Sequence, residues 1–242
     1  MAQAKATGDF GEQGQFIISA DRLFQLFAYD NVTQNDLVPG GLPNTVKSQT
    51  TTTNQSNISL LYGGTGSNIE PFFTVPRVGF DYVVVPNVTI GGDIVAVFSL
   101  GGSVKHETDF NDGSNMTNST NSPSFTGFGI APRGGYVLGL SDMFSLWLRG
   151  GVSYYVASQK TTAGNNNNIT VTETVNQFAI DLEPQIVFHI IPHVGFTGGI
   201  YADIPVTGGH SADYNNGNTQ QSISAWSSIF YLGADLGMLA YF

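Results

Sequence analysis

The stretch Phe230-Tyr231-Leu232-Gly233-Ala234-Asp235-Leu236-Gly237-Met238-Leu239-Ala240-Tyr241-Phe242 decides the reading. Its even positions, Phe230, Leu232, Ala234, Leu236, Met238, Ala240 and Phe242, are all apolar. Between them lie Gly233, Asp235 and Gly237, and then Tyr241. Successive side chains of a strand point to opposite faces. The segment is therefore a strand with one continuous apolar face and one small or charged face.

The same phase extends back through the chain. Phe80, Tyr82, Ile94, Phe128, Ile130, Leu148, Ile180, Leu182, Ile186 and Phe196 fall on even positions of extended stretches. Arg77, Asp81, Asp93, Arg133, Arg149, Asp181, Glu183, Asp203 and Asp235 fall on odd ones, with Tyr155, Gln177 and Tyr201. A one-residue slip would carry every charge to the other face, so this bias fixes the register.

Composition says which face meets which medium. Charged residues make up 11% of the chain, against about 25% for soluble globular proteins. No apolar run approaches the ~18–20 residues of a membrane helix. Low charge, 30 glycines among 242 residues and alternation fit a transmembrane barrel with an apolar outer wall and a polar lumen. A soluble barrel alternates with the faces exchanged, but with so few charges it would leave a greasy wall in water. The absence of cysteine excludes disulfides and thiolate metal sites. A net charge of −10 with eight lysines and arginines excludes nucleic acid as a partner, because such binding rests on neutralising phosphates.

The expected fold is an all-β, eight-stranded antiparallel up-and-down transmembrane barrel. Residues 1–13 read as a flexible polar lead and 14–242 as a single barrel. The start, Met1-Ala2-Gln3-Ala4-Lys5, has no apolar core of a signal peptide. An exported barrel needs one, so a mature form with an added or retained Met1 is expected.

The strands are placed at 15–29, 72–85, 89–103, 125–140, 144–158, 174–191, 194–206 and 222–242. Short turns fall at Pro86-Asn87, Ser141-Asp142 and Pro192-His193. Long loops fall at 30–55, 104–123, around 165–168 and at 207–221. Short turns on one side and long loops on the other are the asymmetry of outer-membrane barrels. Asn57–Tyr62 is too short to span and reads as part of the first outer loop, extending above the membrane. Pairing it with 69–75 would give ten strands instead. In the first strand Arg22 shares a face with Phe16, Ile18, Ala20, Phe24, Leu26 and Ala28. An arginine on the lipid face costs about 2–4 kcal/mol at mid-membrane. A bulge near Ala20–Arg22, or snorkelling of Arg22, is expected. Aromatics gather at the strand ends, with Tyr82, Tyr136, Phe144, Phe188, Phe196 and Phe242 near the turns and Phe125, Tyr154 and Trp226 near the loops.

Val75-Pro76-Arg77-Val78-Gly79-Phe80, Ala131-Pro132-Arg133-Gly134-Gly135-Tyr136 and Glu183-Pro184-Gln185-Ile186-Val187-Phe188 share one pattern. Each proline lacks an N–H, so each is expected to break a ladder bond or mark a bulge.

The last strand and its terminal Phe242 resemble the C-terminal signature of bacterial outer-membrane β-barrels. The aromatic usual two positions earlier is Ala240 here. Gly8–Phe24, Val75–Tyr82 and Ala131–Tyr136 resemble outer-membrane barrel proteins of myxobacteria-like bacteria. The architecture is similar to the small OmpX and OmpW type barrels. The resemblance implies a monomer in the bacterial outer membrane, surrounded by lipid bilayer and lipopolysaccharide. It also implies that the barrel-assembly machinery reads the strand ending in Phe242. It implies no cofactor.

No enzyme is expected. His189 and His193 flank an inner turn, and His106 and His210 lie in outer loops near Glu107, Asp109 and Asp213; no nucleophile–histidine–acid set is placed. Asp109–Asn115 is oxygen-rich but lacks EF-hand spacing, so no metal site is expected. The Asn-x-Ser/Thr triplets at Asn31, Asn57, Asn87, Asn115, Asn118 and Asn168 reflect composition. Two readings of the lumen stay open. Either its arginines and carboxylates pair into a plug that suits a structural or surface-interaction role, or its excess of acids lines a narrow cation-favouring channel.

Overall fold

The structure, a computed structural model, describes residues 10–38, 49–60, 75–109, 115–163, 169–215 and 220–242. Its strands are β1 (Phe16–Val38), β2 (Gln49–Leu60), β3 (Arg77–Val85), β4 (Val88–Ser99), β5 (Gly102–Asp109), β6 (Asn115–Ser122), β7 (Ser124–Gly139), β8 (Phe144–Ala163), β9 (Ile169–Ile191), β10 (Val194–Asn215) and β11 (Gln220–Tyr241). Antiparallel neighbours run β11-β10-β9-β8-β7-β4-β3-β1, and β1 pairs with β11 to close the ring. Among the described residues, eight strands therefore make the wall.

The ten-strand alternative fails at β2. Leu60 to Gln49 pair with Phe27 to Val38 of β1, on the edge that carries β3 lower down. β2 thus extends the wall above β3. Residues 69–74 lie outside the described set.

The outer loops are shorter than expected. β1 runs on to Val38, and 207–215 and 220–221 continue β10 and β11. Much of 104–123 forms the β5–β6 hairpin. These segments are rich in Thr, Val, Ser and Asn, and their threonines and valines are β-branched residues that suit a pleated ladder. Composition marks them as polar; pairing makes them strands. The tip of the calcium-like stretch, 110–114, and residues 164–168 and 216–219 lie outside the described residues.

Burial follows the alternation. In β3 the pattern from Arg77 to Tyr82 is strictly buried then exposed, and odd positions of β7, β8, β9 and β11 point inward with it. Outside, Phe80, Ile94, Ile130, Leu182, Ile186, Ile200 and Leu236 present an apolar wall. Phe16 packs on Tyr82 with ring centroids 4.9 Å apart, and Phe144 on Phe188 at 5.2 Å, at the turn side. Tyr29 and Phe230 meet at 6.3 Å toward the loops. Phe125 departs from the expected girdle: it packs against an interior cluster.

Two proline expectations take a definite form. The ladder of β7 with β8 skips Ala131 and Pro132 and resumes in the same register. The ladder of β9 with β10 skips Pro184 likewise. Each proline costs ladder bonds without shifting the strand.

β1 does shift. Its register with β11 slips between Ala20 and Phe24, where Arg22 has φ 56°, and again between Gln25 and Phe27. The first slip is the expected bulge, and it turns Arg22 into the lumen. The second reverses the phase, so Ala28, Asp30 and Val32 face inward although the sequence phase puts Ala28 on the lipid side.

Candidate functional site

An eight-stranded barrel is just wide enough for side chains to fill its interior. Three layers do so here. At the turn side, Phe10, Ile17, Val83, Val137, Trp147, Val187, Leu239 and Tyr241 form an apolar cluster. At the loop side, Val32, Val95, Tyr155, Ala157, Val175, Tyr201, Ile229 and Tyr231 form another. The other inward charges lie between, while Asp30 of β1 is level with Tyr231 of the loop-side cluster. Along β8 the inward order is Trp147, Arg149, Ser153, Tyr155, and along β11 it is Leu239, Asp235, Tyr231.

The structure places Arg77, Asp81, Asp93, Arg133, Arg149, Asp181, Glu183, Asp203 and Asp235 in this middle layer, all buried. Asp21 and Arg22 of β1 join them, so every wall strand supplies at least one charge. All four arginines of the chain, Arg22, Arg77, Arg133 and Arg149, are in the layer.

Glu183 is the hub. Its carboxylate lies 2.7 Å from Arg22, 3.0 Å from Arg149, 3.7 Å from Arg133 and 3.9 Å from Arg77. Arg22 also donates from both terminal nitrogens to Asp203, each at 2.9 Å. Arg133 reaches Asp81 at 2.6 Å, Asp93 at 2.5 Å and Asp21 at 3.0 Å. Arg149 donates to Asp21 at 2.9 Å. Asp181 accepts instead from Ser153 Oγ at 2.9 Å, and Asp235 from Gln185 Nε2 at 3.1 Å. Breaking one member of such a buried set leaves an uncompensated charge, which is costly.

Aromatic faces floor and roof the layer. The Arg22 guanidinium stacks 3.7 Å from the Tyr201 ring centroid, and Arg149 lies 4.7 Å from that of Trp147. A desolvated cation over a ring gains ~2 kcal/mol or more. Trp147 Nε1 donates to Thr89 Oγ1 at 3.1 Å. Small residues make room for these groups. A Cβ on Gly129 would lie 2.2 Å from the Tyr155 ring. Among the described residues, a cavity of about 10 Å³ is lined by Asp93, Arg133, Arg149, Asp181 and Glu183 among others, which is room for about one water.

Phe242 stands at the seam where the ring closes. Its N–H donates to Phe16 O at 2.9 Å and its carbonyl accepts from Phe16 N at 3.0 Å, with its ring on the exposed wall. At the turn side, His189 Nε2 lies 3.0 Å from Ser145 Oγ, and Tyr241 OH, not a carboxylate, lies 3.5 Å from its Nδ1. Among the described residues no cluster of His, Asp and Glu is arranged to hold a metal ion.

Asp21 and Arg22 are the charged members missing from the set of lumen residues read from the sequence. Asp21 sits on the charged phase, and Arg22 breaks it. Asp21 faces inward in the regular ladder with Arg77, and an adjacent charge on the opposite phase is the signal of the bulge that turns Arg22 inward beside it.

A closed ring of antiparallel strands with an apolar outer wall and inward-facing charges defines a transmembrane β-barrel of the bacterial outer-membrane type. Solved structures of outer-membrane proteins are similar to it. A major outer membrane protein from Thermus thermophilus is similar at 11% identity over 89% of this chain and 99% of its own, with a TM-score of 0.50. The outer membrane protein OprG from Pseudomonas aeruginosa is similar at 11% identity over 94% and 96%, with a TM-score of 0.46. The outer membrane protease OmpT from Escherichia coli is similar at 10% identity over 100% and 99%, with a TM-score of 0.40. At 11% identity the likeness to the Thermus protein is one of fold alone. No family model matches the sequence, and no curated protein matches it.

Proposed function

We propose that this barrel stands in the bacterial outer membrane as a monomer with a plugged lumen, and that its role is structural or surface-interacting. What carries the reading is the layering: a paired charged layer lies between two apolar clusters, and the cavity inside that layer has room for about one water. Ions do not cross dry apolar layers cheaply. The strand extensions β1–β2, β8–β9 and β10–β11 rise beyond the aromatic level and would offer the contact surface toward lipopolysaccharide or other partners. Phe242, paired across the closing seam, is the residue the assembly machinery would read. No catalytic role is proposed: the Ser145–His189 pair has tyrosine where a triad has its acid.

A second reading is a narrow cation-favouring channel. It is supported by the layer's own count, seven carboxylates against four guanidinium groups. Single-channel recording of the refolded protein in a planar bilayer separates the two. The plugged reading expects a folded, heat-modifiable barrel without conductance steps. Stable steps of one size, reduced by Asp181→Asn or Asp235→Asn, would establish the channel instead.

A further inference from the structure

We infer that the segment Phe10–Gln15 is a detachable stopper for the turn-side mouth of the barrel. The segment lies outside the wall, just before β1, yet Phe10 is as buried as the core. Its ring stands edge-on to Trp147 at 5.5 Å and lies 5.1 Å from Tyr241 and 5.5 Å from His189. It thereby covers the lowest inward layer, of which Trp147 and Val187 are fully buried.

The segment is shaped to seat there. Gly11 at φ +98° and Gly14 at φ +92° make two reversals that other residues resist. Gln15 Oε1 accepts from Gly11 N at 2.9 Å and from Glu12 N at 3.2 Å, which holds the curl together. A Cβ on Gly11 would stand 3.0 Å from Asn87 Oδ1 and 3.3 Å from Val137, so only glycine lets the curl lie flush against the wall.

Its attachment is slight beside that of a wall strand. Asn87 N donates to Gly11 O at 2.8 Å, Gly14 N donates to Val83 O at 2.9 Å and Val83 N donates to Gln15 O at 2.9 Å. Gln13 Nε2 adds an exposed bond to Val84 O at 3.2 Å. These bonds lie at the water-facing end of the barrel, where solvent can replace them. The ring of wall strands keeps its own ladder bonds when the segment leaves. A short segment outside the strand ladder, seated at the mouth by Phe10 and Gln15, belongs to the low-stability end of a native structure. The inference does not depend on whether the charged layer above conducts.

The chain has two tryptophans, so Trp226→Phe leaves Trp147 as the only indole. In that background the refolded barrel in detergent is titrated with acrylamide. Trp147 is expected to be shielded in the parent. Phe10→Ala, which removes the anchor, and Gly11→Ala, which unseats the curl while keeping the ring, should each raise the quenching constant several-fold with heat-modifiability unchanged. Hydrogen exchange of the Trp226→Phe parent gives a readout without further substitution: the Gly14 and Asn87 amides should exchange faster than the Leu239 amide within the β11 ladder. Quenching that is unchanged in both variants, a parent Trp147 as accessible as free indole, or Gly14 and Asn87 amides as slow as Leu239 would each overturn the stopper.

Discussion

Arg22 and Asp203 meet across the lumen in a two-pronged ion pair, Nη1 on Oδ2 and Nη2 on Oδ1, each at 2.9 Å. The two residues come from β1 and β10, which are not neighbours in the ring. The pair therefore ties the two sides of β11 together through the interior. Removing one partner of a buried pair typically costs about 3–5 kcal/mol. Asp203→Asn keeps the shape and removes the charge, and it should lower the unfolding midpoint of the barrel in detergent by that order. Urea titration followed by heat-modifiable mobility measures it. Because the pair is buried, salt screens it little, and the loss should be nearly the same at low and high ionic strength.

The backbone at Arg22 adds a separate effect. Its φ of 56° lies in the left-handed region, which costs an L-residue roughly 1–2 kcal/mol. Arg22→Ala and Arg22→Gly lose the same ion pairs, but glycine loses the backbone penalty as well. Both variants should be less stable than the parent, with Arg22→Gly the more stable of the two by about 1 kcal/mol. Equal stabilities would mean that the bulge relaxes once the guanidinium is gone.

What could be read from the sequence follows from what alternation encodes. Phe230 to Phe242 states its faces outright, because each side chain's medium is set by its own position. Arg133, Asp181 and Glu183 could be assigned to the interior on the same ground. Arg22 could not be placed, only flagged, since a bulge changes the phase through backbone conformation. Ala28 was misassigned because the second slip, at Gln25, carries no charge to mark it. The partners of Glu183 were not legible either: which arginines reach it depends on strand stagger around the closed ring. The threonine-rich strands beyond Tyr29 and Ser158 read as loops because their two faces are largely polar, and alternation is silent there.

Gly233 and Tyr201 give a test of interior packing. A Cβ on Gly233 would lie 2.5 Å from the Tyr201 ring; that ring carries the Arg22 guanidinium, and its hydroxyl accepts a hydrogen bond from Gln25 Nε2. Gly233→Val must push the ring off its seat, and overpacking of this kind costs about 1–3 kcal/mol. Tyr201→Leu on its own removes the stacking partner of Arg22. Combined, the two changes relieve the clash, so the double variant should be more stable than the sum of the single losses predicts. A double-mutant cycle on unfolding midpoints reads the coupling; strict additivity would mean that the two positions do not touch in the folded barrel.

The outer wall makes the most direct test of insertion. Leu182 lies on the exposed face of β9 opposite Gly150 of β8, at the level of the charged layer. Ile190 lies on the same strand at its turn-side end, also exposed. In a bilayer, arginine costs about 2–4 kcal/mol at the midplane and about 0–1 near the interface. Leu182→Arg should therefore lower folding stability in lipid vesicles by that larger amount, while Ile190→Arg changes it little. In water the two substitutions would be equivalent, since each replaces one exposed apolar side chain. The depth dependence thus separates a wall that faces hydrocarbon from one that faces solvent. Equal and small effects at both positions would contradict a transmembrane wall.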